Sequence, residues 1–335
     1  MSAVHGIRRH TRRLHGAAAG IAVAALCAVP AAPAAADGGA GGGMKPTIVL
    51  VHGAFADGSS WNGVLQRLQQ AGYSVIAPAN PLRGLASDAE YVHSVLKSVH
   101  GPVVLVGHSY GGSVISEAAV GDAQVKALVY VAAFAPAVGE SSLGLSNKYP
   151  GSTLGPTIKN VPFPLPGGGT GTDQYIKADK FHDQFAADVP TSVTDLMAAT
   201  QRPVAASALE EKATKAAWKT IPSWTLITTE DRNIPPAAQR FMARRAHAHT
   251  VEVNASHAVS VSQPGAVTRL IERAARSATA TAADPSGTTL ANTGSGRQTR
   301  QAITLGGIAA VSVTVGSAVV LLGRRRWRSE AHSGR

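Results

Sequence analysis

Between residues 47 and 275 the chain alternates short apolar runs with stretches of helical periodicity. Thr47-Ile48-Val49-Leu50-Val51 is apolar on successive positions, as a strand covered on both faces must be. Residues 60–71 set Trp61, Val64, Leu65 and Leu68 on one helical face. A second strand is expected over 73–76. Ser87-Asp88-Ala89-Glu90 reads as a capping box opening a helix that runs to about residue 99. Further strands are expected at 103–106, 127–132, 224–228 and 250–253. Helices are expected at 112–120, 207–218, 235–246 and 264–275, the third of these with proline in its first turn. Strands alternating with helices predict an α/β architecture, a parallel sheet with helices on both faces. No internal repeat is visible.

Residues 137–205 break this rhythm. They hold Gly151, Gly155 and the run Pro162-Phe163-Pro164-Leu165-Pro166-Gly167-Gly168-Gly169, and then helical spacing from Phe181 to Met197. The segment lacks an apolar pattern long enough for a core of its own, so it is expected to be a lid inserted over the sheet rather than a second domain.

The two ends read as addresses. Residues 1–36 begin with Arg8, Arg9, Arg12 and Arg13, continue with the apolar stretch 17–29, and close on Ala34-Ala35-Ala36 before Asp37. That is the layout of a secretory signal peptide, too short to span a membrane comfortably. Thr11-Arg12-Arg13-Leu14 leaves open which of two export routes is used. A Gly-rich linker, 37–44, follows. At the other end, residues 277–289 are rich in Ala, Thr and Ser and are expected to be a flexible spacer. Residues 290–335 hold Leu290-Ala291-Asn292-Thr293-Gly294, an apolar run at 303–322, and Arg324-Arg325-Arg326-Trp327-Arg328. As a helix at about 1.5 Å per residue the run spans roughly 30 Å, the thickness of a bilayer core. Taken alone, span and tail predict a membrane anchor with its positive end inside.

Composition changes the picture in two ways. The 335 residues carry 31 Lys+Arg against 20 Asp+Glu, a net charge of +11, which invites a nucleic-acid partner. Four of those arginines lie in 1–36 and seven lie beyond Thr293, leaving 20 basic and 19 acidic residues between. The basic excess belongs to the ends, and a nucleic-acid-binding core is disfavoured. The lone cysteine, Cys27, excludes an internal disulfide framework and a Cys-based zinc site.

The chemistry sits in three places. Gly107-His108-Ser109-Tyr110-Gly111 follows a predicted strand and precedes a predicted helix, the context of a nucleophile elbow. A serine hydroxyl attacks only when a base takes its proton. The strand at 224–228 runs into Glu230-Asp231, and the strand at 250–253 runs into Ser256-His257. The order Ser109, Asp231, His257 is the nucleophile, acid, base order of this architecture. His257 is expected to be the base and Asp231 to fix its tautomer. Glu230 competes for the acid role, and His247 and His249 for the base. An oxyanion needs two donors. One is expected to be the backbone N–H of Tyr110 and the other that of Ala54, with Phe55 as the alternative. His52 is expected to hold that loop, and Trp61 to pack beneath it.

These motifs, His52-Gly53-Ala54, Gly107-His108-Ser109-Tyr110-Gly111-Gly112, Glu230-Asp231-Arg232 and Ser256-His257, resemble the α/β-hydrolase superfamily over about residues 45–276. Within it they look like the branch of esterases and hydroxynitrile lyases that includes plant methylesterases and bacterial arylesterase-like proteins. The resemblance implies an α/β-hydrolase fold with a mostly parallel central sheet and a lid, no cofactor and no metal. Lyases of this branch carry lysine after the catalytic histidine, where this chain has Ala258. Gly53 likewise leaves no hydroxyl in the first-strand loop. Both departures favour ester hydrolysis. Ser109 separates the chain from epoxide hydrolases and dehalogenases, which place Asp there.

The C-terminal order resembles sortase substrates, with Leu-Ala-x-Thr-Gly like the variant of high-GC Gram-positive bacteria. It implies cleavage after Thr293, with signal peptidase, sortase and peptidoglycan as partners. The expectation is therefore a secreted, wall-anchored serine carboxylesterase acting on a small, mostly apolar ester. The alternatives are lyase, C–C hydrolase or cofactor-free haloperoxidase chemistry on the same triad. A non-catalytic receptor or adhesin on the same fold is a further alternative, against which the intact triad counts.

Overall fold

The computed structural model describes residues 44–283. Six strands form one sheet: β1 (Thr47–Val51), β2 (Val75–Ile76), β3 (Val103–His108), β4 (Val125–Val131), β8 (Ser223–Thr228) and β9 (His249–Val253). Their order is β2-β1-β3-β4-β8-β9 and every pairing is parallel. Helices α1 (Asn62–Gln70), α9 (Val259–Ser262) and α10 (Pro264–Ala283) cover one face. Helices α2 (Leu85–Lys97), α3 (Tyr110–Ala118) and α8 (Pro236–Arg245) cover the other. Alternation along the central strands explains the unbroken apolar runs. Ile48, Leu50, Val104, Val106, Val129 and Val131 enter the α10 side, while Val49, Val51, Leu105, Leu128 and Tyr130 enter the α3 side. The predicted α/β architecture, with a parallel sheet and helices on both faces, is the one observed.

The insertion carries more regular structure than its sequence suggested. It contains α4 (Ser142–Ser146), β5 (Ile158–Pro164), β6 (Thr170–Ile176), α5 (Ala178–Phe185), α6 (Thr191–Thr200) and β7 (Val204–Ala205), and α7 (Ala206–Glu210) follows it. Strands β5, β6 and β7 form a separate antiparallel sheet. Pro162 and Pro164 mask β5 in the sequence. They are tolerated because β5 is an edge strand and, being two apart, both lack their N–H on the same side, away from β6. Gly167, Gly168 and Gly169 turn the hairpin, all with positive φ. The helical pattern of 181–197 is two helices, parted before Pro190.

Two expected elements are corrected by tertiary hydrogen bonds. The capping box at Ser87 does not form. The helix begins earlier, at Leu85, and Ser87 Oγ donates to the Gly84 carbonyl at 3.1 Å. The free N–H groups of Leu85 and Ala86 donate instead to the Glu211 carboxylate, at 2.5 and 3.2 Å. The expected helix 207–218 ends at Glu210, because the chain after it is used by other partners. Glu211 caps α2, Lys212 bridges to Ser141, and Thr214 N–H donates to the buried Glu117 carboxylate at 2.5 Å. Helix α10 runs on to Ala283, into the first part of the segment expected as spacer. The expected signal peptide, the linker up to residue 43 and the sorting segment lie outside the described residues. Among the described residues no helix is long and apolar enough to cross a membrane.

The capping assignment has a direct test. Glu211→Ala should lower unfolding stability by about 1–2 kcal/mol in urea titrations, the usual worth of a lost helix cap. Ser87→Ala should stay within about 0.5 kcal/mol of the unsubstituted chain. The reverse order would restore the capping box.

Candidate active site

Five loops at the C-terminal edge of the sheet converge on one pocket, those after β1, β3, β4, β8 and β9. Ser109 lies in the turn between β3 and α3 with φ 54° and ψ −125°, a backbone region that costs a non-glycine residue energy. The surroundings hold it there. A Cβ on Gly107 would come within 2.6 Å of the Gly111 carbonyl oxygen, and one on Gly111 within 2.5 Å of the Val51 carbonyl oxygen. The Ser109 carbonyl accepts from Gly112 and Phe134 N–H at 3.0 and 3.1 Å. Gly53 faces the serine itself, since a Cβ there would lie 2.6 Å from Ser109 Cβ.

Asp231 and His257 come together as expected. His257 Nδ1 lies 2.8 Å from Asp231 Oδ2, and both side chains are buried. Asp231 Oδ2 also accepts from Thr228 Oγ1 and Gln239 Nε2, each at 2.9 Å, and Oδ1 from the N–H groups of Asn233 and Ile234 at 2.8 and 2.9 Å. Five donors therefore satisfy a carboxylate that would be costly to bury bare. Glu230, the competitor, is exposed, with its N–H on the Ala255 carbonyl. His247 and His249 are exposed, just before and at the start of β9, with His249 stacked on Trp224. Ser109 Oγ and His257 Nε2 line the same pocket without a hydrogen bond between them, a contact that tightens in such sites when substrate arrives.

The oxyanion alternatives are separated by one bond. Phe55 N–H donates to the Arg202 carbonyl at 3.1 Å, so it is already used. Ala54 N–H has no backbone acceptor and, like Tyr110 at the start of α3, borders the pocket. The neighbouring histidines are held neutral. His52 Nε2 accepts from Asn80 N–H at 2.9 Å, which leaves Nδ1 to donate to the Gly53 carbonyl at 3.0 Å. Burial lowers its pKa. His108 Nε2 donates to the His257 carbonyl at 2.9 Å. Burial first, and the neighbouring His257 second, push its pKa down to about 3. Its ring stands 4.8 Å from that of His257, and Trp61 packs edge-on against it at 6.2 Å. The Tyr110 side chain turns away from the pocket, and its hydroxyl donates to the buried Asp88 carboxylate at 2.9 Å.

The sequence did not reveal how far the lid contributes. The Phe185 carbonyl accepts from Ala258 N–H at 3.0 Å, and its ring lies edge-on to His257 at 5.0 Å. Ser256 Oγ donates to Asp188. On the acid side, Gln184 Nε2 donates to the Arg232 carbonyl and to Asn233 Oδ1 at 2.9 and 2.7 Å. Helix α5 and the turn after it thus grip both the loop of Asp231 and the loop of His257. Helical spacing from Phe181 onward was the available signal, and it gave no partner. The pocket, a narrow cavity of about 40 Å³, is walled mainly by Phe55, Phe134, Leu143, Leu154, Leu209 and Ile234. Among the residues described there is no cluster of three metal-ligating side chains.

A serine raised on a strained strand-to-helix turn, with an acid and then a histidine supplied by later strands of one parallel sheet, defines the class of α/β hydrolases. The chain belongs to the alpha/beta hydrolase family, whose profile matches residues 48–270. An alpha/beta hydrolase of Aspergillus novofumigatus, nvfD, is 29% identical over 256 residues, 69% of this chain and 97% of that protein. A carbendazim hydrolyzing esterase of a Nocardioides species is 34% identical over 113 residues, 30% of this chain and 47% of that one. Among solved structures, polyneuridine aldehyde esterase superposes with a TM-score of 0.60 at 19% identity, covering 69% of this chain and 99% of its own.

His108 carries a pH signature. Its folded pKa lies below the unfolded value of 6.5, so between pH 6.5 and about 3 the unfolded chain binds a proton that the folded chain does not. Its contribution is complete above that window and is lost as pH falls through it. The melting temperature should drop between pH 7 and 4, and His108→Gln, which keeps a donor for the His257 carbonyl, should drop less steeply. Parallel pH profiles for the two proteins would contradict the assignment.

Proposed function

We propose that this chain is a serine carboxylesterase that cleaves small, mostly apolar esters through an acyl-Ser109 intermediate. The observation that carries the reading is the pairing of Asp231 with His257 Nδ1 beside a pocket into which Ser109 faces. His257 Nε2 takes the Ser109 proton as Oγ attacks the ester carbonyl. Asp231 holds Nδ1–H and stabilises the imidazolium that results. The carbonyl oxygen, now charged, accepts from Ala54 and Tyr110 N–H. His257 returns the proton to the departing alcohol, then deprotonates the water that releases the acid. No cofactor enters these steps.

The apolar wall suits a small hydrocarbon-rich acyl or alcohol group. Ala258, buried where related lyases place lysine, supports hydrolysis over lyase chemistry. The esterase names of the Nocardioides relative and of the structural neighbour point the same way. We further propose that residues 1–36 direct export and that sortase joins Thr293 to peptidoglycan, on the strength of the motif, apolar run and arginine tail at 290–335.

Ser109→Ala should cut turnover of a short-chain p-nitrophenyl ester by about 10³-fold or more and abolish labelling by a fluorophosphonate. Retained turnover would end the mechanism. For location, the chain expressed in a sortase-bearing Gram-positive host should appear in the wall fraction. Thr293→Ala should shift it to membrane and medium, and an unchanged distribution would remove the sorting proposal.

A further inference from the structure

We infer that Asn233 is a recognition donor of the catalytic pocket, and that the preferred ester carries a second hydrogen-bond-accepting oxygen away from its scissile carbonyl. The substrate class rests on the esterase reading above; the donor itself rests on geometry. Asn233 lies two residues beyond Asp231, is 4% exposed and lines the same pocket as Ser109 and His257.

A full account of its polar groups isolates one. The backbone N–H donates to Asp231 Oδ1 at 2.8 Å, and the backbone carbonyl accepts from Ser146 Oγ at 2.8 Å. Side-chain Oδ1 accepts from Gln184 Nε2 at 2.7 Å. Nδ2 has no partner at all.

The amide cannot be turned over to remove this imbalance. Gln184 Nε2 also donates to the Arg232 carbonyl at 2.9 Å, a group that only accepts, so Gln184 must present its nitrogen to Asn233. Reversing Asn233 would set nitrogen against nitrogen. The lid residue Gln184 therefore fixes the acid-loop residue with its donor free.

The other polar side chains of the pocket wall are occupied. Ser142 Oγ pairs with Ser113 Oγ at 2.8 Å, and Ser146 Oγ is spent on Asn233 itself. Buried polar atoms without partners also occur on Trp61, Asn80, His108, Arg245, Ser260 and Ser262, but none of these residues lines the pocket. Apart from the reacting groups, Asn233 is the pocket-lining residue among the described residues with a buried side-chain polar atom that has no partner. A buried donor of this kind favours a ligand that supplies an acceptor and penalises one that brings only carbon.

The test uses the Ser109→Ala chain, so that esters bind without turnover. Short-chain methyl esters in which one chain carbon is replaced by an ether oxygen, or bears a keto oxygen, are titrated against their all-carbon counterparts by calorimetry. At least one oxygenated ester should bind about tenfold or more tightly than its counterpart. Adding Asn233→Leu should bring that ratio to about one. Asn233→Asp keeps Oδ1 for Gln184 but exchanges the donor for an acceptor. It should also erase the preference and shift it toward esters bearing a hydroxyl.

No oxygenated ester preferred, or a preference that survives both substitutions, overturns the assignment. Turnover of the same esters by the chain with Ser109 intact reports separately on the esterase reading. Turnover without any oxygen preference removes only the role of Asn233, and oxygen preference without turnover removes only the esterase reading.

Discussion

The structure is organised around a crowded backbone crossing beneath Ser109. The turn from β3 to α3 is so tight that Gly107 touches the first turn of its own helix, while Gly111 lies against the carbonyl of Val51 on the neighbouring strand. No side chain fits at either place. This exclusion lets α3 start directly after Ser109 and sets Tyr110 at the edge of the pocket. It also forces Ser109 into a left-handed conformation that its neighbours must hold. Gly53 extends the same constraint to the loop after β1, so nucleophile and oxyanion loop are packed as one unit.

Around that unit the charges are few and strictly placed. Three histidines lie within the buried centre, yet only His257 faces a carboxylate. His52 and His108 serve as neutral hydrogen-bonding rings, the first tying the oxyanion loop to Asn80, the second supporting the carbonyl of His257. A charged imidazole beside His257 would oppose the imidazolium that the proposed reaction forms. Burial that lowers the pKa of both neighbours therefore serves the same end as the five hydrogen bonds on Asp231. One raises no competing charge, and the other fixes the compensating one.

The parts legible in the sequence were those written in local patterns. Apolar runs with no polar face gave the central strands, and the glycines on either side of Ser109 gave the elbow. The order of serine, acid and histidine located Asp231 and His257 with no structure in hand. What stayed hidden depended on partners distant in the chain. Ser87 had the composition of a cap, but Glu211, over a hundred residues away, took the position. The hairpin β5–β6 was masked by prolines that matter only if the strand is central, which it is not. Ala54 was the expected second oxyanion donor with Phe55 as the alternative, and what occupies the Phe55 N–H is the carbonyl of Arg202, far along the chain. Nothing local marks Asn233, because what sets it apart is a hydrogen bond its side chain does not make.

The attachment of α5 to the catalytic loops has a consequence for how small molecules enter and leave. Phe185, Asp188 and Gln184 are bonded to the segments that carry His257 and Asp231. A lid swinging on its ends would tear those bonds, so each opening would disarm the acid–base pair. On the opposite flank Leu143, Ser146, Leu154 and Leu209 border both the pocket and a second cavity lined in part by β5 and β6. The two halves of the cover then divide the labour. The helical half is bonded to the loops that carry His257 and Asp231, and the hairpin half borders the second cavity.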